Sequence, residues 1–504
     1  MGIINDVGVY VVQSLKPVPI QPVMPARPMA VIAPMYQIVD QDVDSETDSV
    51  FSGDALTHGT DTLAWFTGTL ETTTVTYPNL LSEDAVIDTD SVRVLLKRSD
   101  GRWADITDSV TPGAESVSFD PDALTLDDEL ADINDDWGGD STEDNWSGLA
   151  GATIHIEYRA RRADLEGTVL SAQGAGIAAV IGKAHPDNPL GLAGGIIANL
   201  SGRGAYFVPV EDSENEADVA TALGLLEPLN VYAPVVISGN ELRHQQITNF
   251  VNQMSTPEER SFSFAWTHRN FKTREEIIAE TTLTESSTLQ EIKAAQVADM
   301  VAYATSVFDR RTAVIPHNFV MEVDGEDYTV CGSYLAVAYA ALKTEIPPQQ
   351  GLTNYPLGGI VKKLNMSNNY FKPSHLKELS QHGVFVCLQT TESAPIRSRF
   401  QVTTNMTSNT TKQISIVYAA DAFSLGFIRT MTPLLGINNI TPDLLETIQL
   451  SLSAYITATR NSGLILDASI VGLNVNPDDP SQVDAEVDAT FPSPLDRIVM
   501  LLKY

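Results

Sequence analysis

The stretch Tyr328-Thr-Val-Cys-Gly-Ser-Tyr-Leu-Ala-Val-Ala-Tyr-Ala-Ala-Leu-Lys-Thr-Glu-Ile346 is the most informative part of this chain of 504 residues. It predicts a helix rich in small residues, which should stop at Pro347-Pro348 because proline cannot continue a helix. A turn-rich segment, Gln349-Gln-Gly-Leu-Thr-Asn-Tyr-Pro-Leu-Gly-Gly359, follows it. Neither a nucleophile beside a base nor a cluster of metal ligands occurs here, so the stretch offers no catalytic group.

Around this stretch, residues 166–390 alternate predicted strands with predicted helices. This alternation indicates an α/β core whose sheet is at least partly parallel. Asn188 is a predicted N-cap, followed by Pro189 at the first helical position. The predicted strands are Ala205–Val210, Val231–Ile237 and Ser261–Thr267, and the predicted helices are Ala217–Glu227, Asn240–Met254 and Thr288–Phe308.

Residues 36–165 have a different composition, rich in Thr, Ser and Asp. Apolar and polar residues alternate in runs such as Thr72–Tyr77, Ser91–Leu96 and Ala152–Tyr158. Alternation with a period of two, interrupted by Asp, Gly and Pro, indicates a small all-β domain. We expect this domain to be an insertion that faces outward.

The two ends of the chain differ from these regions. Residues 1–35 predict an N-terminal arm with a first strand at Val7–Val12 and a proline-rich tether over residues 17–28. Residues 391–504 predict a C-terminal α+β domain. Its predicted strands are Phe400–Thr404, Gln413–Tyr418, Leu464–Val475 and Val483–Ala489, and its predicted helices are Asp421–Met431 and Pro442–Thr459. The apolar run Ile498–Leu502 would favour aggregation unless it paired with another chain.

The chain is strongly acidic, with a formal net charge of -34. Between Asp40 and Tyr158 there are 28 Asp and Glu against four Lys and Arg, which gives -24 for this region alone. Such a field repels nucleic acid and anionic membranes, so we expect neither as a partner. The two cysteines, Cys331 and Cys387, predict a reducing compartment and no disulfide framework. No apolar run reaches the ~20 residues of a bilayer span, and the N-terminus lacks the features of a signal peptide.

Motifs for bound ligands are weak. Gly174–Ala179 matches the G-x-G-x-x-A pattern of dinucleotide loops, but the acidic residue expected about 20 positions later is missing, which favours a plain glycine turn. The acidic run Asp132–Glu143 has oxygen ligands at the spacing of an EF-hand loop. Trp137 stands where that loop needs glycine, so a solvated acidic loop is the preferred interpretation. The eight histidines form no metal-binding pattern, and we expect no cofactor and no metal.

Four stretches, in this order, resemble the contractile-tail sheath proteins, which surround the tube of contractile phage tails and related injection machines. The first two are βα units, His185–Leu190 with Gly204–Val210 and Val231–Val236 with the helix from Asn240 and Met254–Arg260. The third and most specific is Pro316–Gly359. The fourth comprises Thr403-Thr404, Gln413–Tyr418 and the final helix-strand-strand pattern. Together they span residues 170–504, and the acidic β insertion carries no signature of this family.

The resemblance implies a multidomain α/β and α+β protein, with a sheath-type α/β core, a C-terminal α+β domain and an inserted all-β domain. It implies a structural, non-enzymatic subunit that forms stacked hexameric rings around a tail tube and contracts to drive the tube through the host envelope. Its partners would be copies of itself, the tail tube protein, and baseplate and tail terminator proteins. The subunit would belong to the virion tail of a bacteriophage, serve genome ejection, and assemble in the cytoplasm of the host bacterium.

The resemblance also implies candidate assembly residues. In this family, terminal arms add strands to the sheet of a neighbouring subunit, and both ends of this chain are β-prone. The candidate strand-exchange residues are Val7, Val9, Tyr10, Val11, Val12, Ile498, Val499, Met500, Leu501 and Leu502. Arg429 and Arg460 are candidate contacts to an acidic tube. The alternative interpretation is an exported acidic surface or adhesion protein with a cation-binding β domain.

Overall fold

The computed structural model describes residues 28–44, 51–52, 73–76, 86–97, 103–107, 110–114, 116–119, 153–256, 262–323, 326–357, 363–364, 370–389, 391, 394–434 and 439–494. The strands in these ranges are β1 (Met29–Ala33), β2 (Tyr36–Asp44), β3 (Phe51–Ser52), β4 (Thr73–Thr76), β5 (Val86–Lys97), β6 (Trp103–Asp105), β7 (Val110–Pro112), β8 (Ser116–Phe119), β9 (Thr153–Arg161), β10 (Leu170–Gln173), β11 (Gly204–Pro209), β12 (Ala233–Val236), β13 (Ala265–His268), β14 (Thr312–Ile315), β15 (Phe319–Val323), β16 (Glu326–Val330), β17 (Pro356–Leu357), β18 (Lys363–Leu364), β19 (Cys387–Leu388), β20 (Ile396–Ser398), β21 (Asp467–Val475) and β22 (Val483–Thr490). The helices are α1 (Gly176–Ile181), α2 (Pro189–Leu200), α3 (Glu216–Leu226), α4 (Glu241–Met254), α5 (Arg274–Glu280), α6 (Leu289–Val307), α7 (Ser333–Glu345), α8 (Pro373–Gln381), α9 (Asn409–Lys412), α10 (Ile414–Met431) and α11 (Pro442–Asn461).

The core is a mainly parallel sheet in the order β10-β11-β1-β12. Strand β1 pairs in parallel with both β11 and β12, while β10 is antiparallel to β11. Every residue of β1 is buried, as expected for a strand between two parallel neighbours. This result corrects the predicted arm, because residues 29–33 of the range 1–35 form the central strand of the core.

Helices cover both faces of this sheet. Met29, Val31 and Ala33 of β1 belong to the hydrophobic cluster that contains α2 and α7. The intervening Ala30 and Ile32 belong to a second cluster, which contains α3 and α4. Since successive residues of a strand point to opposite faces, one five-residue strand contributes to both hydrophobic clusters. The predicted α/β alternation of residues 166–390 is therefore present as a three-layer arrangement.

Asn188 caps α2 as predicted and also fixes the neighbouring segments. Its Oδ1 accepts hydrogen bonds from the backbone N–H of Gly191 (3.2 Å) and of Tyr36 (3.0 Å). Its Nδ2 donates to the carbonyls of Ile181 (3.0 Å) and Lys183 (3.1 Å). The buried side chain of Asn188 therefore makes four hydrogen bonds, and these hold the start of α2 against the end of α1 and the start of β2.

Helix α7 is buried along almost its whole length, from Ser333 to Thr344. It begins later than the sequence predicts, because Tyr328 belongs to β16. At its other end the buried Lys343 donates from Nζ to the carbonyls of Pro348 (2.9 Å) and Gln350 (2.5 Å). The lysine therefore ties the predicted turn after the helix back onto the helix itself.

The acidic region consists of antiparallel strands where the structure describes it. One sheet has the order β2-β9-β5-β6 and a second has the order β3-β4-β8-β7. The runs Thr72–Tyr77, Ser91–Leu96 and Ala152–Tyr158 all contain strand, as their alternation predicts. The EF-hand-like run Asp132–Glu143 lies outside the described residues.

The C-terminal region differs from its prediction in two places. Gln413–Tyr418 is not a strand, since Ile414 begins helix α10. Phe400–Thr404 contains a single β-bridge, between Val402 and Gln413, rather than a strand. Residues 414–419 are all buried, so their sequence lacks the exposed polar face that would reveal a helical period. The predicted helices and the final pair of strands are present as α10, α11, β21 and β22.

Among the described residues, the segment Ile414–Leu434 is the one helical stretch that is long and apolar enough to cross a membrane. More than half of it is buried inside the protein, which is typical of a core helix. This helix also makes an ion pair with a residue beside the sheet. Arg311, just before β14, donates from Nη1 to Oδ2 of Asp421 (2.7 Å) and from Nη2 to Oδ1 (2.8 Å).

This ion pair sits among other polar contacts between the core and α10. The Tyr232 hydroxyl donates to Oδ2 of Asp421 (2.8 Å), and Trp266 Nε1 donates to the Tyr418 hydroxyl (2.9 Å). Arg311 and Asp421 are both nearly fully buried, at 6% and 4% side-chain exposure. A buried bidentate pair with all its partners present holds α10 in one position against the sheet.

We expect Asp421→Asn to lower the free energy of unfolding by about 3–5 kcal/mol, because it leaves the buried Arg311 cation without its counter-charge. Chemical denaturation measures this change. The matched control is Asp467→Asn, which removes the exposed Arg460–Asp467 pair and should cost at most about 1 kcal/mol. A double variant, Arg311→Met with Asp421→Leu, should recover part of the loss, since it buries no charge. Equal stability of Asp421→Asn and the parent protein would contradict this account.

Candidate assembly surfaces

The C-terminal hairpin β21–β22 is the most exposed regular element near the end of the chain. Its strands pair antiparallel from Asp467 with Thr490 to Val475 with Val483, with a β-bulge between Ile470 and Gly472. Among the residues that the structure describes, neither strand pairs with a third strand. Two rows of backbone N–H and C=O groups are therefore open for hydrogen bonds to another strand.

One face of the hairpin is anchored to the protein. Ile470 and Val487 pack against a cluster formed by α10, α11 and the segment after α11, in which Tyr455 and Leu464 are buried. The Tyr455 hydroxyl donates to the carbonyl of Phe423 (2.6 Å) and so joins α11 to α10. The hairpin is thus held on the two helices, and both of its edges are unpaired within the part of the chain that the structure describes.

The opposite face of the hairpin carries charge. Asp484, Glu486 and Asp488 occupy alternate positions of β22 and are all exposed, so they form a row on the face that points away from the cluster. We call these three residues the acidic stripe. The exposed Val471 lies at the bulge of the adjacent strand.

The candidate strand-exchange residues, Val7–Val12 and Ile498–Leu502, lie outside the described residues. Arg429 is exposed in the last turn of α10, and within the described part of the chain it makes no ion pair. Arg460 lies in the last turn of α11 and is half-exposed, and its Nη1 is 3.7 Å from Oδ1 of Asp467. The two arginines therefore differ, since Arg460 already has a carboxylate nearby and Arg429 has none among these residues.

The structure also brings together a cysteine and a histidine that the sequence did not connect. Cys331 precedes α7, and its Sγ is 3.6 Å from the carbonyl of Ser238. Burial acts to raise the pKa of the Cys331 thiol, but the charge of the nearby His268 and hydrogen bonding from Ser333 outweigh it and lower this pKa to about 7. The thiol of Cys387 differs, because burial raises its pKa to about 12.

The surroundings of this pair indicate a packed structural contact rather than a nucleophilic site. His268 is fully buried, with Nδ1 2.7 Å from the carbonyl of Ile315 and Nε2 2.8 Å from Oδ1 of Asn270, so both ring nitrogens are already engaged. A Cβ at Gly332 would lie 2.1 Å from the carbonyl of His317 and 2.4 Å from the His268 ring. The turn is therefore tightly packed around Gly332, while the thiol-bearing residue Cys331 is partly exposed.

Within the part of the chain that the structure describes, no group of three or more His, Cys, Asp or Glu side chains could hold a metal ion. The glycine-rich segment at Gly174 adopts a turn in which Gly174 has a φ of +51°, and the short helix α1 follows it. This geometry agrees with a plain glycine turn.

We expect alkylation of Cys331 by iodoacetamide to follow a titration with a midpoint near pH 7, since the thiolate is the reactive form. The measurement uses a Cys387→Ala variant, in which Cys331 is the one remaining thiol. His268→Gln should move the midpoint upward, because it removes the attraction that stabilises the thiolate. A midpoint at the ordinary thiol value of ~8.5 in both proteins would show that His268 has no such effect.

Comparison with known proteins gives a likeness of fold without a likeness of sequence. No protein-family model matches the chain, and no curated protein matches it. The contracted helical sheath of the anti-feeding prophage superposes with a TM-score of 0.51 at 11% identity, covering 68% of this chain and 89% of that chain.

Two further solved structures are similar at lower scores. The contracted sheath complex of an extracellular contractile injection system, PVC, has a TM-score of 0.49 at 14% identity, covering 67% of this chain and 87% of that chain. The sheath tail protein of Desulfitobacterium hafniense has a TM-score of 0.43 at 10% identity, covering 96% of this chain and all of that chain. The mixed α/β content, the several small sheets and the anti-feeding-prophage likeness agree with the fold that the four sequence stretches lead us to expect. Over about two thirds of its length, this chain has the fold of a contractile-tail sheath protein.

Proposed function

We propose that this protein is the structural subunit of a contractile tail sheath. It polymerises as stacked hexameric rings around a tail tube and contracts to drive the tube through a host envelope. The observation that carries the proposal is the sheath fold combined with an exposed hairpin whose two edges pair with no other strand among the described residues. An isolated two-stranded sheet with open edges is avoided in proteins that stay monomeric, because it templates pairing with another chain.

The free edges give the terminal arms a place to bind. Val7–Val12 and Ile498–Leu502 are β-prone segments at opposite ends of the sequence, and each would add one strand to the β21–β22 hairpin of a neighbouring subunit. Main-chain hydrogen bonds would then link neighbours, while the proline-rich residues 17–28 act as an extended joint. Such links keep subunits connected while their bodies move as rigid units between two sets of contacts.

The proposal includes no catalytic step. The Cys331–His268 contact lies in a packed turn, and the energy for contraction is taken from the difference between two arrangements of the same subunits. The tube protein, the baseplate and the tail terminator are the proposed partners, and the virion tail, assembled in the bacterial cytoplasm, is the proposed location. The choice of a phage tail over a related injection particle rests on one chain carrying arm, insertion and C-terminal domain together.

We expect the purified protein at high concentration to form hollow striated tubes by negative-stain electron microscopy. Replacing Ile498–Leu502 with five serines should abolish the tubes and leave a folded monomer, because the change removes the apolar side chains of the added strand but keeps the chain length. Circular dichroism and sedimentation check the fold and the mass.

The matched control replaces exposed apolar residues elsewhere, Leu242→Ser with Leu289→Ser, and should leave tube formation unchanged. Tubes of normal yield from the five-serine variant would show that the C-terminal segment is not an assembly strand.

We also expect Arg429→Glu with Arg460→Glu to prevent attachment to the tube, since the two exposed cations would no longer face an acidic tube surface. Co-sedimentation of sheath with preformed tubes measures the attachment. Arg203→Glu, a half-exposed arginine on the α/β core, is the control. If the double reversal co-sediments as well as the control, these arginines do not contact the tube.

A further inference from the structure

A concave site between α8, residues 399–402 and α9 is lined by basic side chains, whereas the chain as a whole is strongly acidic. The cavity has a volume of about 360 Å³. Three cations line it, Lys377 from α8, Arg399, and Lys412 from α9, together with the apolar side chains of Phe400, Val402 and Met406. We call this site the basic pocket.

The cations of the basic pocket have no counter-charge in the part of the chain that the structure describes. None of Lys377, Arg399 and Lys412 makes an ion pair there, and no Asp or Glu among the described residues lines the cavity. Three neighbouring cations without an acidic neighbour among the described residues are unexpected in this protein, because its 65 acidic residues outnumber its 31 basic residues two to one.

The hydrogen bonding of Arg399 is a separate observation. Its Nε is buried and has no hydrogen-bond partner among the described residues. A buried guanidinium N–H without an acceptor costs free energy, and a bound carboxylate supplies the acceptor that its planar fork fits best. Burial also lowers the pKa of Arg399, as expected when no anion offsets the loss of water.

The carboxylates of the acidic stripe likewise lack partners of opposite charge among the described residues. Asp484 accepts hydrogen bonds from the amides of Asn476 (2.9 Å) and Gln482 (2.6 Å), and among the described residues none of the three stripe carboxylates has a cation partner. Alternate residues on one strand face lie about 7 Å apart, so three like charges repel one another unless cations bind them.

We propose that the basic pocket of one subunit receives the acidic stripe of a second copy of this chain, with the stripe carboxylates as the ligands of Lys377, Arg399 and Lys412. Within one subunit the two surfaces form no ion pair, so the contact is between copies. The exposed Val471 beside the stripe matches the apolar floor of the pocket. This contact uses side chains on the face of the hairpin, whereas strand addition uses the backbone at its edges, so both can occur on one hairpin.

The inference rests on the proposed self-assembly, and charge exchange between the two surfaces tests it. Lys377→Glu with Lys412→Glu reverses the pocket, and Asp484→Lys with Asp488→Lys reverses the stripe. Each variant alone should raise the concentration needed for tube formation at least about tenfold, because like charges then meet. The variant carrying all four changes should return to within about threefold of the parent protein. Arg399 is kept, since its partial burial makes a change there a risk to folding.

Matched controls separate a local contact from a change of total charge. Lys372→Glu alters an exposed lysine next to α8 that does not line the pocket, and Asp478→Lys alters an exposed acid in the hairpin turn. Both should leave the assembly concentration within about threefold of the parent. Circular dichroism confirms that every variant is folded.

A second measurement identifies the ligand directly. Parent protein and ¹⁵N-labelled protein are mixed, assembled and treated with a carbodiimide, which joins lysine amines to adjacent carboxylates. Mass spectrometry should find Lys377 or Lys412 joined to Asp484, Glu486 or Asp488 in peptides of mixed isotope. Two outcomes would overturn this inference alone. In the first, tubes form but these lysines are joined to other carboxylates, such as those of residues 40–158. In the second, the variant with all four changes does not regain the assembly concentration of the parent protein. A chain that stays monomeric and yields no mixed crosslinks would overturn the proposed function as well.

Discussion

The burial of helix α7 is the constraint on which the rest of the structure depends. A helix enclosed over twelve consecutive residues, from Ser333 to Thr344, needs neighbours on every side. Its alanines allow close approach, and its larger residues fill the gaps that remain. Tyr339 stacks on Trp266 of β13, with ring centroids 6.0 Å apart, and meets the edge of Phe385 at 4.7 Å. The parallel sheet, helix α2 and the N-terminal half of α10 therefore all take their positions from one helix.

The same arrangement connects the α/β core to the assembly surfaces. Helix α10 is held at its N-terminal half by the Arg311–Asp421 pair and by the hydrogen bond from Trp266 to Tyr418. Its other half packs with α11 under the β21–β22 hairpin. Packed helices and a buried ion pair, rather than a loop, thus join the hairpin to the core. In the proposed contracting polymer, this connection would let the subunit move as one body.

The surface of the protein is characterised by which of its charged side chains are paired. The excess of carboxylates gives the surface a net negative charge, and most described arginines, such as Arg159, Arg161 and Arg269, are already paired with acids of their own chain. The cations that have no ion pair among the described residues are therefore the informative ones. Arg429 lies at the end of α10, and the basic pocket lies beside α8 and α9. Interfaces between copies are expected where an acidic protein exposes such cations, because electrostatic complementarity selects the partner and its register.

The sequence by itself determined those features that depend on neighbouring residues. The proline after α7, the Asn188 cap, the alternating runs of the acidic region and the amphipathic α11 each carry a local signal, and each predicted element is present. The resemblance of the four stretches to sheath proteins is likewise matched by the fold.

The tertiary structure alone decided the features that join residues far apart in the chain. Met29–Ala33 follows a proline-rich tether, yet it is the central strand, because parallel pairing joins residues far apart in the chain. Residues 414–419 form a helix although their sequence predicts a strand, since complete burial removes the exposed polar face that marks a helical period. The Cys331–His268 contact, the acidic stripe and the basic pocket bring together side chains from separate elements, and no local pattern in a sequence records such distances.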